Sequence, residues 1–417
     1  MQSDRSAPNK GSRIPAYRKY LPSLIVAWIA LTFVFAMLAI RVVDPSIVKE
    51  LRNSAFDRYQ QIKPREYTPQ PVRIIDIDEE SLRRYGQWPW PRTLIAELVN
   101  RLAEYGVATT GFDIVFAEED RLSPSNIIED NKALPEDLRS GLATLPDNEE
   151  ALRNAMLNHR VVLGETTARN QKDTSKEEKE LEDASHAKIG EDPTPYIQKW
   201  PEIIENLPIL NEASSGRGVF SITRDPDGII RRVPLVVMLR GKVRLALSAE
   251  TLRVATGSDS FAIHTNVSGL EGIAVAGKKI ETDYNGNIWP YFTEKRSDRY
   301  VPVHEILEGK ADPELLNGHI ALLGISAVGL EDIRPIPLGT LVPGVEIHAQ
   351  VIENLLSDST LVRPFYSLLY EIALIVILSL ILFLTLPGLG AWAGFVFSAA
   401  SLIGATAMSW FAFSEYR

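Results

Sequence analysis

The residues of this chain with the clearest chemical potential are carboxylates that follow two predicted strands, at 72–77 and 109–116. Parallel strands bring their carboxyl ends to one edge of a sheet, so these side chains are predicted to share the edge where open α/β sheets bind ligands. Grouped acidic oxygens at this edge would suit a hard cation or a cationic ligand. The candidate ligand-binding residues are Asp76, Asp78, Asp113, Glu118 and Asp120.

A structural interpretation of the same carboxylates is also open. Asp78 stands where an N-cap would begin a helical turn at 79–85, and an N-cap carboxylate accepts a backbone hydrogen bond. On this interpretation Asp76 and Asp113 accept backbone hydrogen bonds as well, and the acidic run at 118–120 is solvated.

Ser326 is a further candidate, in the segment GISAVG at 324–329 that follows a predicted strand at 319–325. The segment is either a tight loop whose amide groups hold an anion or a plain structural turn. Its spacing does not match the GxSxG nucleophile elbow. A hydrolase would need Ser326 to act with His348 or His319, which are both distant in sequence.

Other motifs of catalysis and cofactor binding are missing from the sequence. It contains neither GxxxxGK[ST] nor GxGxxG, and its six histidines form no HExxH pair. Zero cysteines exclude a disulfide framework, a thiol nucleophile and a thiolate metal site. We therefore predict no catalytic centre and no cofactor in this chain. The sequence does not decide whether the chain binds a metal ion.

The elements that position these residues alternate between strands and helices, which predicts a mixed, largely parallel sheet flanked by helices. Further strands are predicted at 160–165, 229–239 and within 273–292, and helices at 45–62, 91–105, 245–255 and 345–356.

Three further segments stand out from this alternation. The region 123–150 is predicted to be loop-rich, and the charged region 170–195 is predicted to be a mobile excursion. The aromatic residues Tyr85, Trp88 and Trp90 form either a recognition surface or a packed corner, and we favour the packed corner.

The composition indicates one globular domain with apolar helices rather than a polytopic transporter. The chain has 417 residues, of which 45% are hydrophobic, and its mean hydropathy is −0.04. A formal charge of −10 argues against a nucleic-acid partner, because gripping phosphates requires basic patches.

Apolar stretches at 21–42, 367–386 and 389–413 have about the twenty residues needed to cross a bilayer. Basic residues in the tail 1–20 place that tail in the cytoplasm, so the domain 44–365 is predicted to lie outside. An uncleaved signal anchor is favoured at the first stretch, because its apolar part is longer than that of a signal peptide.

Four segments carry a specific combination of residues. They are IIDIDEESLRRYGQWPWPR from Ile74, GFDIVFAEED from Gly111, DPDGIIRRVPL from Asp225 and LEDIRPIPLGTLVPGVEIHAQVIENLLS from Leu330. In this order they resemble the second type of CHASE domain, the cyclase and histidine-kinase associated sensory extracellular domain. The resemblance covers nearly all of residues 44–364.

The resemblance implies an extracytoplasmic sensory module of a bacterial receptor, with one membrane span before it and usually three after it. Its output would be a class III adenylate or guanylate cyclase, a histidine kinase, a serine/threonine kinase or a diguanylate cyclase, and we expect an adenylate cyclase that makes cAMP. Only two spans and no effector follow the domain here, so we expect these residues to be the N-terminal part of a longer receptor.

The same resemblance implies the partners. They are the lipid bilayer of the bacterial inner membrane, an unassigned extracytoplasmic small molecule or ion, and a second copy of the chain, because a class III active site forms between two cyclase domains. The missing cyclase domain would use ATP with Mg or Mn. An extracytoplasmic hydrolase and a structural membrane scaffold are the alternatives from other classes.

Overall fold

The computed structural model describes residues 16–167, 184–200, 202–327, 329, 332–362, 367–385 and 391–415. The chain divides into two compact units. The apolar unit comprises Met1–Ala55 with Tyr366–Tyr416, and the globular unit comprises Phe56–Phe365.

The helices are α1 Ala16–Val43, α2 Ser46–Ile62, α3 Glu79–Tyr85, α4 Arg92–Glu104, α5 Pro124–Asp130, α6 Glu136–Leu142, α7 Asn148–Leu157, α8 Pro208–Ala213, α9 Leu247–Ala255, α10 Val303–Leu307, α11 Gly344–Ser357, α12 Ser367–Thr385 and α13 Ala391–Glu415. The strands are β1 Val72–Ile77, β2 Thr109–Phe112, β3 Val161–Thr167, β4 Ser185–Ile189, β5 Lys199–Trp200, β6 Ile203–Ile204, β7 Gly216–Val219, β8 Val233–Pro234, β9 Val236–Leu239, β10 Lys242–Leu245, β11 Ser260–Asn266, β12 Gly269–Val275, β13 Lys278–Glu281, β14 Asn287–Ile288, β15 Tyr300–Pro302, β16 Ile320–Ile325, β17 Ile333–Pro335 and β18 Leu341–Pro343.

The apolar unit contains α1, α12 and α13. Among the described residues, Trp392–Glu415 is the one helix that is by itself long and apolar enough to cross a membrane. Leu31–Val43 and Ser46–Ile62 meet the same criterion only when they are taken together as one bent span, and the apolar helix Ser367–Ile381 is shorter. Three membrane-spanning helices therefore remain a prediction.

An ion pair joins α1 to α12 within the apolar unit. Arg41, in the last turn of α1, donates a hydrogen bond from Nε to the carboxylate of Glu371 on α12. An ionisable side chain in apolar surroundings is costly unless it is paired. This contact therefore favours one alignment of the two helices.

A seven-stranded sheet forms the centre of the globular unit, in the order β15-β1-β16-β2-β3-β6, with β7 also paired to β3. Its pairings are parallel except for that between β3 and β6. Strand β1 is buried at all six positions, as expected for a strand covered on both faces. The predicted largely parallel sheet flanked by helices is confirmed.

Successive side chains of β1 enter two different hydrophobic cores. Ile74 packs in the core that contains Val345 of α11, whereas Ile75 packs in the core that contains Ile95 of α4. This alternation is the two-residue period of a strand. Asp76 therefore points to the face of the sheet that α11 covers.

The globular unit also contains smaller sheets. They have the orders β10-β9-β5 and β13-β12-β11-β4, and two further pairs are β14-β8 and β17-β18.

The prediction that 123–150 is loop-rich was wrong. This region contains α5, α6 and the first turn of α7, and Leu152 and Met156 of α7 are buried in the same core as α4. These helices are only 7 to 10 residues long. Helices of two or three turns are too short for an apolar period to stand out in the sequence.

Three other predictions need correction. The strand predicted at 109–116 ends at Phe112, and the strand predicted at 229–239 is divided into β8 and β9. In the charged region predicted to be a mobile excursion, β4 pairs in parallel with β11. The rest of that prediction, over 170–183, lies outside the described residues.

The aromatic corner is packed, as predicted. Trp90 is buried, and its Nε1 donates to the carbonyl of Gly86 at 2.8 Å. The rings of Tyr85 and Trp88 both meet Trp90 edge-on. The corner fixes the chain between α3 and α4.

Helix α11 lies so close to β16 that Gly324 has no room for a side chain, since a Cβ built there would lie 2.5 Å from Cβ of Val345. We expect Gly324→Ala to lower the free energy of unfolding by about 1–3 kcal/mol through overpacking, measured by urea denaturation of the full chain. The control is Gly141→Ala in α6, where the Cβ enters open space. We expect this control to be neutral or to stabilise by up to about 1 kcal/mol, and equal losses in both variants would contradict the close contact.

Candidate functional site

Two carboxylates stand on either side of Gly324 at the carboxyl edge of the central sheet. Asp76 of β1 is in register with Gly324, and the N–H of Asp113 donates to the carbonyl of Leu323 at 2.9 Å. Strands in a sheet are about 4.8 Å apart, so the two backbones are roughly 10 Å apart across β16. Val345 of α11 fills the space above Gly324 and separates the two acids.

Asp76 is the most chemically unusual of the predicted site residues. Ser326 Oγ donates to its Oδ2 at 2.8 Å, while Oδ1 is buried and has no hydrogen-bond partner among the described residues. Burial raises the pKa of Asp76 to about 6, and the nearby charge of Asp78 adds to the rise. The Ser326 hydroxyl and the charge of Lys295 oppose it. This carboxyl group therefore changes protonation state close to neutral pH.

Asp113 forms the second part of the acidic edge together with Asp332. A Cβ built on Gly344, the first residue of α11, would lie 3.4 Å from Oδ2 of Asp332 and 3.5 Å from Oδ2 of Asp113. Burial raises the pKa of Asp113 well above its usual range, and the charge of Asp332 adds to it. The carboxyl edge of the sheet thus carries two separate carboxylate groups, one at Asp76 and one at Asp113 with Asp332.

Asp78 and Glu118 follow the structural interpretation. Asp78 is the N-cap of α3, and its Oδ1 accepts a hydrogen bond from the N–H of Ser81 at 2.8 Å. The side chain of Glu118 is exposed, and its backbone carbonyl accepts a hydrogen bond from Arg92.

Asp120 is a structural anchor rather than a member of the acidic edge. It accepts hydrogen bonds from the N–H groups of Arg92 and Leu122 and from the amide of Asn148, at 2.7 to 2.9 Å. Although burial acts to raise it, these hydrogen bonds hold the pKa of Asp120 below its usual range. The residue ties α4 to the chain that leads into α5.

The serine and histidines named for a hydrolase do not form a catalytic pair in the described structure. Ser326 donates to a carboxylate, Asp76. A nitrogen of His348 lies 3.1 Å from the carbonyl of Phe220, and His319 contacts the carbonyl of Asn317. Within the described residues, no cluster of three or more histidines or carboxylates could hold a metal ion.

A buried ion network that the sequence did not reveal lies beside the acidic edge. Arg299 is fully buried, and its Nη1 donates to Glu346 at 2.8 Å while its Nε donates to Glu353 at 2.7 Å. Both carboxylates belong to α11. Glu353 also accepts a hydrogen bond from Arg65, which follows α2, so two arginines share this carboxylate.

The network reaches the acidic edge through Tyr300. The hydroxyl of Tyr300 donates to Glu346, and its backbone pairs in register with Ile74 of β1. Burial raises the pKa of Tyr300, and the negative charges of Glu346 and Asp76 raise it further. A change of charge at Asp76 therefore alters the electrostatic environment of Tyr300, which donates a hydrogen bond to Glu346 in the first turn of α11.

Arg65, at the other end of the network, follows α2 directly, and α2 itself makes further contacts with the globular unit. Asp57 of α2 accepts hydrogen bonds from Arg231 at 2.7 and 2.8 Å. One turn later, the side chain of Gln60 accepts from the N–H of Phe292 at 3.1 Å. Phe56 meets the ring of Trp289 edge-on. These contacts fasten the second half of α2 to the globular unit.

The globular unit is thus an α/β unit, and α2 connects it along the chain to the apolar helix α1. A family model described as the CHASE2 domain matches residues 29–386. The chain belongs to the CHASE2 family, a sensory domain of signalling receptors. A search of curated proteins and a search of solved structures each found no match.

We expect loss of Arg299 to be severe, because Glu346 and Glu353 would keep their negative charges in the core. Breaking a buried ion pair costs about 3–5 kcal/mol, so Arg299→Gln should lower the free energy of unfolding by that amount in chemical denaturation. The control is Arg296→Gln, which removes an exposed pair with Asp298 and should cost at most about 1 kcal/mol. Similar small losses in both variants would contradict the network.

The raised pKa of Asp76 predicts a pH dependence of stability. Its ordinary value is 3.8 and its folded value is about 6, so the folded state binds the proton more tightly. Protonation of Asp76 therefore contributes to the free energy of unfolding below about pH 4, and this contribution is lost as the pH rises to about 6. The loss is about 3 kcal/mol, since one pKa unit corresponds to 1.36 kcal/mol.

Asp76→Asn removes this titration, so we expect the variant to gain stability relative to the wild type as the pH rises from about 4 to about 6. The measurement is the urea midpoint across this pH range. The control, Asp298→Asn, removes an exposed carboxylate whose pKa is lowered by Arg296, so its titration lies below this pH range and its difference from the wild type should stay nearly constant. Parallel pH profiles for wild type and Asp76→Asn would rule out the raised pKa.

Proposed function

We propose that this chain is the extracytoplasmic sensor and membrane portion of a transmembrane receptor whose cytoplasmic effector is an adenylate cyclase. Membership of the CHASE2 family carries the proposal, because this family is a sensory domain of signalling receptors. The apolar helix α13 supports attachment to a membrane.

In this proposal the apolar segments 21–42, 367–386 and 389–413 each cross the bacterial inner membrane. The basic tail 1–20 lies in the cytoplasm and the domain 44–365 lies in the periplasm or outside the cell. The Arg41–Glu371 pair supports association of the first two spans. Two copies of the chain assemble, which lets two effector domains meet.

The signal is a change in the population of two arrangements of the globular unit. A ligand shifts this equilibrium only if it binds the two arrangements with different affinity. Helix α2 is the element suited to pass the shift on, because Asp57 and Gln60 fasten it to the globular unit. The effector then makes cAMP from ATP with Mg or Mn.

The coupling role of α2 is testable in a fusion of this chain to a class III cyclase domain, expressed in bacteria that lack their own adenylate cyclase. Asp57→Asn weakens the contact of α2 with Arg231, while Arg231 keeps its hydrogen bonds to Asp225 and Asp227. We expect cellular cAMP to change several-fold at equal protein level. The control is Arg58→Gln, at the neighbouring, exposed position on α2.

An unchanged cAMP level in Asp57→Asn, with the fusion folded and inserted, would refute the coupling role of α2.

Alkaline phosphatase fused within the globular unit tests the topology, because that reporter is active only outside the cytoplasm. Sequencing the parent gene beyond codon 417 tests the effector, and a stop codon at that point would remove the proposed cyclase.

A further inference from the structure

The buried carboxylate of Asp76 lacks the charged partner that comparable groups have. Asp76 is 7% exposed and accepts a hydrogen bond from Ser326 Oγ, while its Oδ1 has no partner among the described residues. Within the same residues, no arginine or lysine forms an ion pair with it. By contrast, four buried glutamates are each paired with an arginine, namely Glu165, Glu250, Glu346 and Glu353. A buried carboxylate without a cation favours its neutral, protonated form.

The groups that face Asp76 act on its charge in opposite directions. Asp78, the N-cap of α3, adds negative charge and favours protonation of Asp76. Lys295, in the exposed segment before β15, adds positive charge and favours the ionised form, as does the hydroxyl of Ser326. These influences leave the pKa of Asp76 at about 6, where a modest change of pH alters its charge.

Tyr300 connects Asp76 with helix α11. Its backbone is in register with Ile74, which precedes Asp76 by one strand period, so the side chains lie on the face of the sheet that α11 covers. Its hydroxyl donates to Glu346 in the first turn of α11, and Glu346 also accepts from the buried Arg299. Ionisation of Asp76 therefore places a second negative charge near this contact.

Helix α11 extends the effect to the chain that follows α2. Glu353 lies about two turns after Glu346 on the same helix, and it pairs with both Arg299 and Arg65. Arg65 comes shortly after the last residue of α2, Ile62. A shift of α11 would therefore disturb the ion pairs that hold the end of α2.

The two charge states of Asp76 favour different arrangements of this region. The neutral acid needs no counter-charge and is compatible with the packing of α11 against the sheet edge. The ionised form needs donors that Oδ1 does not find among the described residues, and a buried charge without donors is costly. Ionisation therefore favours an arrangement in which water reaches Asp76 and the first turn of α11 is less tightly held.

We propose that the proton is a stimulus of this receptor and that Asp76 is the residue that binds it. The inference rests on the proposed sensor function, since it names the stimulus of that sensor. Binding forms one O–H bond on the carboxylate and removes one negative charge. Acidification outside the cytoplasm then holds α11 against the sheet edge, and the ion pairs of Glu353 hold the end of α2. The proton acts by shifting the population of the two arrangements.

The functional test measures cAMP from the cyclase fusion at external pH values on both sides of about 6. We expect a several-fold change of cAMP in the wild type. Asp76→Asn carries no charge at any pH, so it should stay at the level that the wild type shows in acid. The control is Asp298→Asn, which removes an exposed carboxylate and should follow the wild type.

The proton itself is detected by infrared difference spectroscopy of the full chain in detergent. As the pH falls, the wild type should gain the band of a protonated carboxyl group that Asp76→Asn does not gain. Ser326→Ala removes a donor to the ionised form, so it should raise the midpoint of this step. Asp78→Asn removes a neighbouring negative charge and should lower the midpoint, while asparagine still caps α3. A purely structural role of Asp76 predicts no such opposite shifts.

Two outcomes would overturn the inference: full pH dependence of cAMP in Asp76→Asn, or an infrared titration that is the same in wild type and Asp76→Asn. A cAMP level that responds to Asp57→Asn but not to external pH refutes the proton as stimulus and leaves the receptor function standing. A cAMP level that responds to neither refutes the proposed function, even where the infrared step shows that Asp76 binds a proton.

Discussion

The globular unit depends on the sharing of one buried carboxylate, Glu353, by two buried arginines. Arg299 and Arg65 approach it from different parts of the chain, and Glu346 supplies the second negative charge. Transfer of charges from water to the interior costs several kcal/mol for each ion, which good geometry and added hydrogen bonds must offset. Thr293 contributes one such bond, accepting from Arg299 at 2.9 Å. Together these contacts hold α11 in place.

Helix α11 positions both the edge of the central sheet and the segment that contacts α2. Its first turn brings Val345 over Gly324, and this contact separates Asp76 from Asp113 at the edge of the sheet. Farther along, Gln350 and Asn354 accept hydrogen bonds from the N–H groups of Thr293 and Tyr291. These bonds hold the segment 291–293, whose Phe292 also donates a hydrogen bond to Gln60 of α2. The acidic edge and the segment that contacts α2 thus both depend on the position of α11.

Hydrophobic periodicity was sufficient to predict four of the seven strands of the central sheet, β1, β2, β3 and β16, and its main helices. The β-branched run of β1 and the three- and four-residue spacing of α4 match the structure closely, because burial dictates those patterns. The helices over 123–150 were missed because each is too short for a period to show. The division of the strand at 229–239 was missed because local apolar content does not report where pairing partners change.

The candidate site was predicted only in part. The rule that parallel strands align their carboxyl ends predicted that Asp76 and Asp113 lie at one edge of the sheet. It did not predict the contact of Ser326 with Asp76, and Asp120 serves a loop instead. The ion network was missed because Glu346 and Glu353 resemble the solvent face of an ordinary helix in sequence. A charged residue is exposed far more often than buried, so nothing in a single sequence marks these two as interior.

The shared carboxylate also constrains how this domain can evolve. Losing Glu353 alone would leave the charges of Arg65 and Arg299 with only Glu346 among their acidic partners in the network. Losing one arginine alone would leave an excess of carboxylate. Neutral drift must therefore replace these positions in concert, within a few mutations of one another. Natural variation among relatives should show them changing as a set, and that covariation would be visible without any structure.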